Sequence, residues 1–252
     1  MNRSLEGRTI LVTRPAERSG RLVNLLDQRG ARTIVAPTIV LRPVRNAALT
    51  AALRNLADGG YAWLVLTSPA TIGVLAERLS GPREVRASVA AVGDGTAEAF
   101  RRWARRPPDL RPKSFTVAAL ARAFPRGRGR VLCPRADVAP SGLEDALERK
   151  GWTAERVDAY RTRFPTALPP GARKALEAGE VDAVTFTSAS TVQGFAGAGG
   201  TIRRPSKVVC IGPVTAKEAR VLGITVHAVA EPHTTDGLVA ALERVFTLRR
   251  PR

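Results

Sequence analysis

Short, continuously apolar runs alternate along the chain with longer segments rich in Ala, Leu and Arg. Strands lose the usual alternation of apolar and polar residues when both faces of a parallel sheet are buried. We therefore predict strands at Thr9–Thr13, Thr33–Ala36, Trp63–Thr67, Val89–Val92, Arg130–Cys133, Ala154–Val157, Ala183–Thr187, Lys207–Ile211 and Thr225–Ala228.

The segments between these runs have apolar residues at helical spacing. In the first, Leu22 and Leu26 share one face, and Gly30 follows as a C-terminal cap. Helices are predicted at Ser19–Gln28, Asn46–Asp58, Ala70–Arg78, Thr96–Ala104, Thr116–Ala123, Gly142–Arg149, Gly171–Ala178, Thr215–Leu222 and Thr235–Phe246. Strands that alternate with helices predict an α/β fold with parallel sheets and right-handed crossovers.

Three sequence blocks occur twice, in the same order and about 120 residues apart. The pairs are Ile10–Arg14 with Val131–Arg135, Leu66–Thr71 with Phe186–Thr191, and Val92–Ala97 with Ile211–Ala216. A shared order and spacing indicate two homologous units, each large enough for one small, doubly wound, flavodoxin-like domain.

Two proline-punctuated segments, Pro37–Pro43 and Tyr160–Pro170, lie at equivalent points of the two repeats. If both are crossovers, domain one comprises residues 1–36 and 167–252, and domain two comprises residues 43–158. The linkers 37–42 and 159–166 would then run side by side as a two-stranded ladder and act as a hinge.

The formal charge is +18, from 40 Lys and Arg against 22 Asp and Glu. Such a charge favours polyanions: nucleic acid, an anionic membrane surface or a small polycarboxylate or polyphosphate. Nearly all the basic residues are Arg, and the chain is rich in Ala, Gly and Pro. The codon bias of a GC-rich genome is therefore the stronger explanation of the positive charge. The Arg-rich runs Arg101–Arg106 and Arg126–Arg130 match no nucleic-acid-binding motif, and aromatic residues make up only 5%.

No apolar run approaches the ~20 residues of a membrane span, and the first residues lack the apolar core of a signal peptide. We therefore expect a soluble cytoplasmic protein without a membrane partner. Cys133 and Cys210 end apolar strands and are expected to be buried structural thiols. His227 and His233 lack the spacing of a zinc site, and neither a phosphate loop nor a dinucleotide fingerprint is present.

Polar residues follow the predicted strands at the edge where parallel α/β sheets bind anions. These are the Thr67-Ser68 and Thr187-Ser188 pairs and the turns Gly93–Thr96 and Gly212–Thr215. Each hydroxyl could cap its own helix or contact a ligand, and capping is the better explanation for any one of them. If the domains face each other, all four sites would line one cleft.

Two arginines and a tyrosine complete the candidates. Arg14 and Arg135 are repeat-related, and each could bind a carboxylate or form a salt bridge between loops. Tyr160 lies in the second crossover, where its hydroxyl could donate a proton or its ring could pack between the domains.

Seven motifs in this order resemble the uroporphyrinogen-III synthase family. They are Thr13–Pro15, Val65–Ser68, Val92–Ala97, Val157–Thr162, Phe186–Ser188, Ile211–Ala216 and Thr234–Leu238. The resemblance implies two α/β domains joined by a ladder, with the active site in the cleft, and a monomer without cofactor or metal. It implies a cyclising hydro-lyase of tetrapyrrole (heme, siroheme and cobalamin) biosynthesis. That enzyme closes hydroxymethylbilane, an octacarboxylate, to uroporphyrinogen III with inversion of ring D and loss of water.

By motif match, Tyr160 is the acid that assists water loss. The match also implies that Thr67, Ser68, Thr96, Ser188 and Thr215, with their neighbouring backbone N–H groups, hold the acetate and propionate groups. With the strand-end residues and repeat-related arginines described above, the predicted substrate-binding residues are Arg14, Thr67, Ser68, Gly93, Thr96, Arg135, Thr187, Ser188, Gly212 and Thr215. Asp94 departs from the pattern, since it brings a negative charge to an anion-binding loop unless it caps the helix at Thr96. A non-catalytic anion-binding regulator and a nucleic-acid-binding protein remain the competing hypotheses.

Overall fold

The computed structural model describes residues 3–247 and has an α/β architecture. The chain divides into two compact units, unit 1 (Met1–Val40 with Arg163–Arg252) and unit 2 (Leu41–Thr162). The chain passes from one unit to the other inside both segments proposed as linkers. The domain limits 1–36 with 167–252, and 43–158, stay a prediction.

Two five-stranded sheets form the centres of the units. The strands of the first sheet are β1 (Thr9–Val12), β2 (Arg32–Val35), β8 (Ala183–Phe186), β9 (Lys207–Cys210) and β10 (Ala228–Val229). The strands of the second are β3 (Val40–Pro43), β4 (Trp63–Leu66), β5 (Ser88–Ala91), β6 (Arg130–Ala136) and β7 (Thr153–Arg163).

The first sheet has the order β10-β9-β8-β1-β2, and its strand pairs are parallel. Numbered along unit 1, this is the 2-1-3-4-5 order of doubly wound, flavodoxin-like domains. β1 lies between β8 and β2, with Leu11 opposite Val184 on one side and Ile34 on the other. The predicted fold class is confirmed for this unit.

The second sheet repeats this order with different chain connections. Its order is β3-β7-β6-β4-β5, and Ala90 forms a further parallel bridge with Leu110 beyond β5. The repeat-related strands β6 and β1, β4 and β8, and β5 and β9 therefore occupy equivalent sheet positions. β3 is added beside β7, and the Val44 N–H donates to the Ala159 carbonyl (3.0 Å). These two strands form the predicted ladder.

Helices follow most of the strands, as the sequence pattern predicts. In unit 1 they are α1 (Gly20–Asp27), α7 (Pro170–Glu177), α8 (Ala189–Gly197), α9 (Pro213–Val221) and α10 (Thr235–Thr247). In unit 2 they are α2 (Ala47–Ala57), α3 (Pro69–Arg78), α4 (Asp94–Ala104), α5 (Val117–Ala123) and α6 (Leu143–Glu148). Gly30 follows α1 with φ 80°, the left-handed conformation expected at a helix C-terminus.

Four predictions about these elements need correction. The strand predicted at Ala154–Val157 continues as β7 to Arg163, because β7 pairs with both β6 and β3, so Tyr160 lies within a strand and not in a separate crossover. Helix α8 is absent from the predicted set, because its two glycines and polar residues interrupt the apolar spacing. The strand expected at Thr225–Ala228 is reduced to Ala228–Val229, which pairs only with β9 among the described strands. The strand predicted at Thr33–Ala36 is not buried on both faces, since β2 is an edge strand with exposed residues at both ends.

Each unit has its own apolar core on both faces of its sheet. In unit 1, Leu11 and Phe186 pack on one face and Ile10 and Leu242 on the other. In unit 2, all members of the two buried clusters lie between Val44 and Tyr160. No helix within residues 3–247 has the length and apolarity to cross a membrane.

Candidate functional site

The candidate residues of unit 1 gather at the carboxyl ends of three neighbouring strands. Arg14 follows β1, Thr187 and Ser188 follow β8, and the Gly212–Thr215 turn follows β9. These strands are parallel and hydrogen-bonded in the order β1-β8-β9, so their ends lie at one edge of the sheet, about 5 Å apart. Unit 1 therefore brings together all of its predicted substrate-binding residues.

Unit 2 has the same arrangement. Thr67 and Ser68 follow β4, the Gly93–Thr96 turn follows β5, and Arg135 lies at the end of β6. β6, β4 and β5 are neighbours in the sheet, and β7, which contains Tyr160, lies beside β6. Each unit thus has an arginine, a Thr-Ser pair and a glycine turn at equivalent strand ends.

The serine of each Thr-Ser pair caps the helix that follows. The Ser68 hydroxyl oxygen accepts from the backbone N–H of Ala70 (3.1 Å), and that of Ser188 accepts from Thr191 (3.2 Å). The Thr191 hydroxyl oxygen in turn accepts from the Ser188 N–H, which completes a capping box. Both serine hydroxyls therefore have a structural role.

The threonine of each pair has a hydroxyl group without a hydrogen-bond partner in the described residues. Thr67 and Thr187 are half-buried at the ends of β4 and β8. Their hydroxyls form no hydrogen bond with any residue in the described range 3–247. A hydroxyl that is held at a strand end but has no protein partner can bond a ligand without breaking an existing contact.

The glycine turns leave backbone N–H groups uncapped. Gly93 and Gly212 are the N-caps of α4 and α9, and neither helix has a side-chain cap. Within the described part of the chain, the N–H groups of Gly95 and Val214 have no acceptor. Free N–H groups and the positive end of the helix dipole together attract anions. Thr96 and Thr215, in the same turns, are buried.

Asp94 does not cap α4, since Gly93 is the N-cap. The Asp94 carboxylate instead pairs with Arg111, whose guanidinium offsets its charge. The turn that follows β5 therefore carries less negative charge than its sequence suggests.

An aromatic ring lies beside each glycine turn. A Cβ added at Gly93 would lie 3.5 Å from Cβ of Phe115, and one at Gly212 would lie 3.6 Å from Cγ of His233. His233 also places Nδ1 2.6 Å from the Ala230 carbonyl oxygen. Neither ring is among the predicted site residues, because each belongs to a loop that follows its glycine turn much later in the chain.

Arg14 and Arg135 differ although they are repeat-related. Arg135 is 2% exposed, and its Nη1 donates to both Glu144 carboxylate oxygens (3.0 and 3.1 Å). Arg14 donates to the Thr235 hydroxyl (3.3 Å) but forms no ion pair within residues 3–247. Burial, reinforced by the nearby Arg18 charge, lowers the pKa of the Arg14 guanidinium. An incoming carboxylate would compensate this desolvated cation.

Tyr160 is 7% exposed and belongs to the apolar core of unit 2. A register shift between β6 and β7 places it opposite Ala136. Such bulges redirect side chains and are common beside active sites. The Asp137 N–H donates to the Tyr160 carbonyl (3.1 Å) and fixes this part of β7.

The cysteines and histidines form no metal-binding group in the described residues. Cys133 and Cys210 are fully buried, as predicted, and burial raises the pKa of both thiols, that of Cys210 to about 12. Burial also lowers the pKa of His227, whose Nδ1 accepts from the Val208 N–H (3.1 Å). Cys133, Cys210 and His227 therefore support the fold.

Comparison with known proteins gives a consistent result. The profile of the family described as "Uroporphyrinogen-III synthase HemD" matches residues 20–240. The chain is 32% identical, over 96% of its length, to the "Porphyrin biosynthesis protein HemD" of Ruminiclostridium josui, and spans 49% of that protein. It is 29% identical to the uroporphyrinogen-III synthase of Synechococcus elongatus, with 95% of this chain and 96% of that one covered.

Solved structures support the fold. A mutant uroporphyrinogen III synthase from Thermus thermophilus gives a TM-score of 0.68 at 22% identity, with 96% of this chain and 100% of that one covered. Uroporphyrinogen-III synthetase from Helicobacter pylori gives 0.61 at 18% identity, with the same coverage. The family match covers most of the chain, and the sequence motifs and sheet order agree with it. The chain therefore belongs to the uroporphyrinogen-III synthase family.

Proposed function

We propose that this protein is a uroporphyrinogen-III synthase, a hydro-lyase that cyclises hydroxymethylbilane to uroporphyrinogen III. Family membership across residues 20–240 is the observation that carries the proposal. The substrate's eight carboxylates suit a chain of formal charge +18 that has free hydrogen-bond donors at strand ends in both units.

In this proposal, the carboxylates bind where the protein offers uncommitted donors. These are the remaining N–H groups of the Arg14 guanidinium beyond its bond to Thr235, the Thr67 and Thr187 hydroxyls, and the N–H groups of the glycine turns. Ser68, Ser188, Thr96, Thr215 and Arg135 shape these positions, and their direct contact with substrate stays a prediction. Main-chain donors would make single side-chain substitutions mild.

The reaction needs one acid and a fixed substrate conformation. Protonation of the terminal hydroxyl by Tyr160 releases water and leaves an azafulvene, which the pyrrole electrons stabilise. Ring D then attacks to form a spiro intermediate, which rearranges and closes with that ring inverted. Binding that holds the chain folded favours this route over spontaneous closure without inversion.

Isomer analysis of the product tests the activity. Purified protein supplied with hydroxymethylbilane is expected to give uroporphyrinogen III, separated from the uninverted isomer by chromatography after oxidation. A product mixture identical to that of the protein-free reaction would contradict the proposal and would fit a non-catalytic anion-binding protein.

Replacement of Tyr160 tests the acid. Tyr160→Phe keeps the buried ring and removes the hydroxyl, so the rate of uroporphyrinogen III formation should fall about 100-fold. Tyr61→Phe is the matched control, because Tyr61 is also buried in unit 2 but donates to Glu155 (2.7 Å) at the opposite end of the strands. An unchanged rate in Tyr160→Phe would remove this tyrosine from the mechanism.

A further inference from the structure

A cavity of about 650 Å³ lies in unit 2, along the side-by-side helices α5 and α6. Its wall is mostly apolar and includes Val117, Ala118 and Ala121 from α5 and Leu143 and Ala146 from α6. This volume and lining are typical of small-molecule sites. Except for Arg135, none of the predicted site residues lines the cavity.

The charged residues that line this cavity are all basic. They are Arg122, Arg126, Arg135, Arg149 and Lys150, and no Asp or Glu among the described residues joins them. Lys150 is committed, since its Nζ donates to the Arg122 and Phe124 carbonyls (2.7 and 2.5 Å). The exposed guanidiniums of Arg122, Arg126 and Arg149 form no ion pair or hydrogen bond within residues 3–247.

Arg135 supplies a second, independent indication of a ligand. Its Nη1 is held by Glu144, but its buried Nε has no hydrogen-bond partner in the described structure. An unsatisfied buried donor is costly and is rare in folded proteins. Arg135 also lines the cavity, so the unsatisfied donor belongs to a residue that a ligand bound there would contact.

We propose that the cavity between α5 and α6 binds an organic anion: a compact apolar body carrying a carboxylate, sulfonate or phosphate group. The apolar wall receives the body, and the unpaired guanidiniums bind the acidic group. Charge complementarity selects anions, because an acidic group gains up to three free arginines and meets no carboxylate in the described lining. The cavity shares Arg135 with the predicted substrate-binding residues but is otherwise lined by residues outside that set, and it can be tested without hydroxymethylbilane.

The probe is 8-anilinonaphthalene-1-sulfonate, which combines an aromatic body with one sulfonate. Fluorescence titration of the full chain should show saturable binding of one probe per chain. The triple variant Arg122→Gln, Arg126→Gln, Arg149→Gln should bind the probe at least about tenfold more weakly. Absence of saturable binding to the wild-type chain would overturn the proposal.

A charge-matched control separates this site from general attraction to a basic protein. Arg54, Arg83 and Arg86 are exposed arginines of unit 2 that do not line the cavity. Their triple replacement by Gln lowers the net charge equally and should leave probe affinity within about twofold, because long-range attraction is screened by salt. Equal weakening in both triple variants would contradict a defined site.

A second variant tests the shape of the cavity. Ala118 lines it from an exposed position on α5, so Ala118→Trp should fill the space without disturbing the core. We expect loss of saturable probe binding together with an unchanged unfolding midpoint. Normal probe affinity in this variant would place the bound probe elsewhere and overturn the proposal.

Discussion

At the scale of single residues, equivalent positions of the two repeats have taken different roles. Arg135 is buried in an ion pair with Glu144, whereas Arg14 keeps a desolvated guanidinium without an acidic partner in the described residues. Removing one member of a buried ion pair leaves an uncompensated charge, whereas a desolvated cation without an anion gains from binding one. The repeat thus contains one arginine that is paired with an acid of the protein and one that has no such partner among the described residues.

Substitutions at the two arginine sites should therefore affect different properties, stability at Arg135 and substrate binding at Arg14. Glu144→Gln leaves Arg135 without its counter-charge and should lower the free energy of unfolding by about 3 kcal/mol. Arg14→Gln should change stability by less than about 1 kcal/mol but raise KM for hydroxymethylbilane about tenfold. Urea denaturation and steady-state kinetics measure both; a large stability loss in Arg14→Gln would contradict its assignment.

The two thiols give a prediction for pH. Burial raises the pKa of Cys133 and Cys210, so neither forms a thiolate at about pH 8 in the folded state. We expect no reaction with a thiol-specific disulfide reagent until the protein unfolds. Unfolded thiols ionise near their ordinary pKa, so stability should fall as pH rises above about 9. A fast native reaction would show that one strand end is open.

At the scale of elements, packing overrides propensity in helix α8. Gly194 lies in the middle of this helix, where glycine normally costs about 1 kcal/mol relative to alanine. A Cβ at Gly194 would clash with the Thr38 carbonyl oxygen. Gly194 therefore permits the helix to pack against the segment after β2, and this contact explains why a weak helical sequence is helical.

Two alanine substitutions in α8 separate packing from propensity. Gly194→Ala should destabilise the protein by about 2 kcal/mol, because the backbone must move to admit the methyl group. Gly197→Ala, with no atom within 4 Å of the added Cβ, should be neutral or stabilising by up to about 1 kcal/mol. Thermal and urea unfolding provide the comparison; equal effects would mean that the Thr38 contact is unimportant.

At the scale of the whole molecule, each unit has its own apolar core, but one unit is built from a single chain segment and the other from two. The buried clusters of unit 2 draw only on residues from Val44 to Tyr160, a single continuous segment. Unit 1 needs two segments, because β1 comes from the first 40 residues and pairs with β8 from the last third of the chain.

This difference predicts the behaviour of fragments. Residues 41–162 expressed alone should fold and unfold cooperatively, as followed by circular dichroism in urea, because their sheet and core are complete. Residues 163–252 alone should not fold, since without β1 an edge of β8 is unpaired and the core lacks Leu11. A disordered 41–162 fragment would show that unit 2 depends on the rest of the chain.

Most of the fold could be predicted from the sequence because burial on both faces of a sheet leaves a continuous apolar run. Strands such as β1 and β8 are fully buried, and their predicted limits agree with the structure to within a residue. Edge strands lack this signal. For that reason the predicted limits of β10 are too early in the chain, and the predicted burial of β2 is too high. Helix α8 is not predicted from the sequence, because it depends on packing against the distant segment that contains Thr38.

For the candidate site, local pattern and spacing are enough to predict the residue types, their repetition and their location at strand ends. Which of these groups already form hydrogen bonds or ion pairs within the protein is visible only in the folded structure. The Ser68 hydroxyl caps α3, whereas the Thr67 hydroxyl has no hydrogen-bond partner in the described chain. Arg135 pairs with Glu144, whereas Arg14 has no acidic partner among the described residues. The reason is physical: burial and hydrogen bonding depend on neighbours that the fold brings together in space.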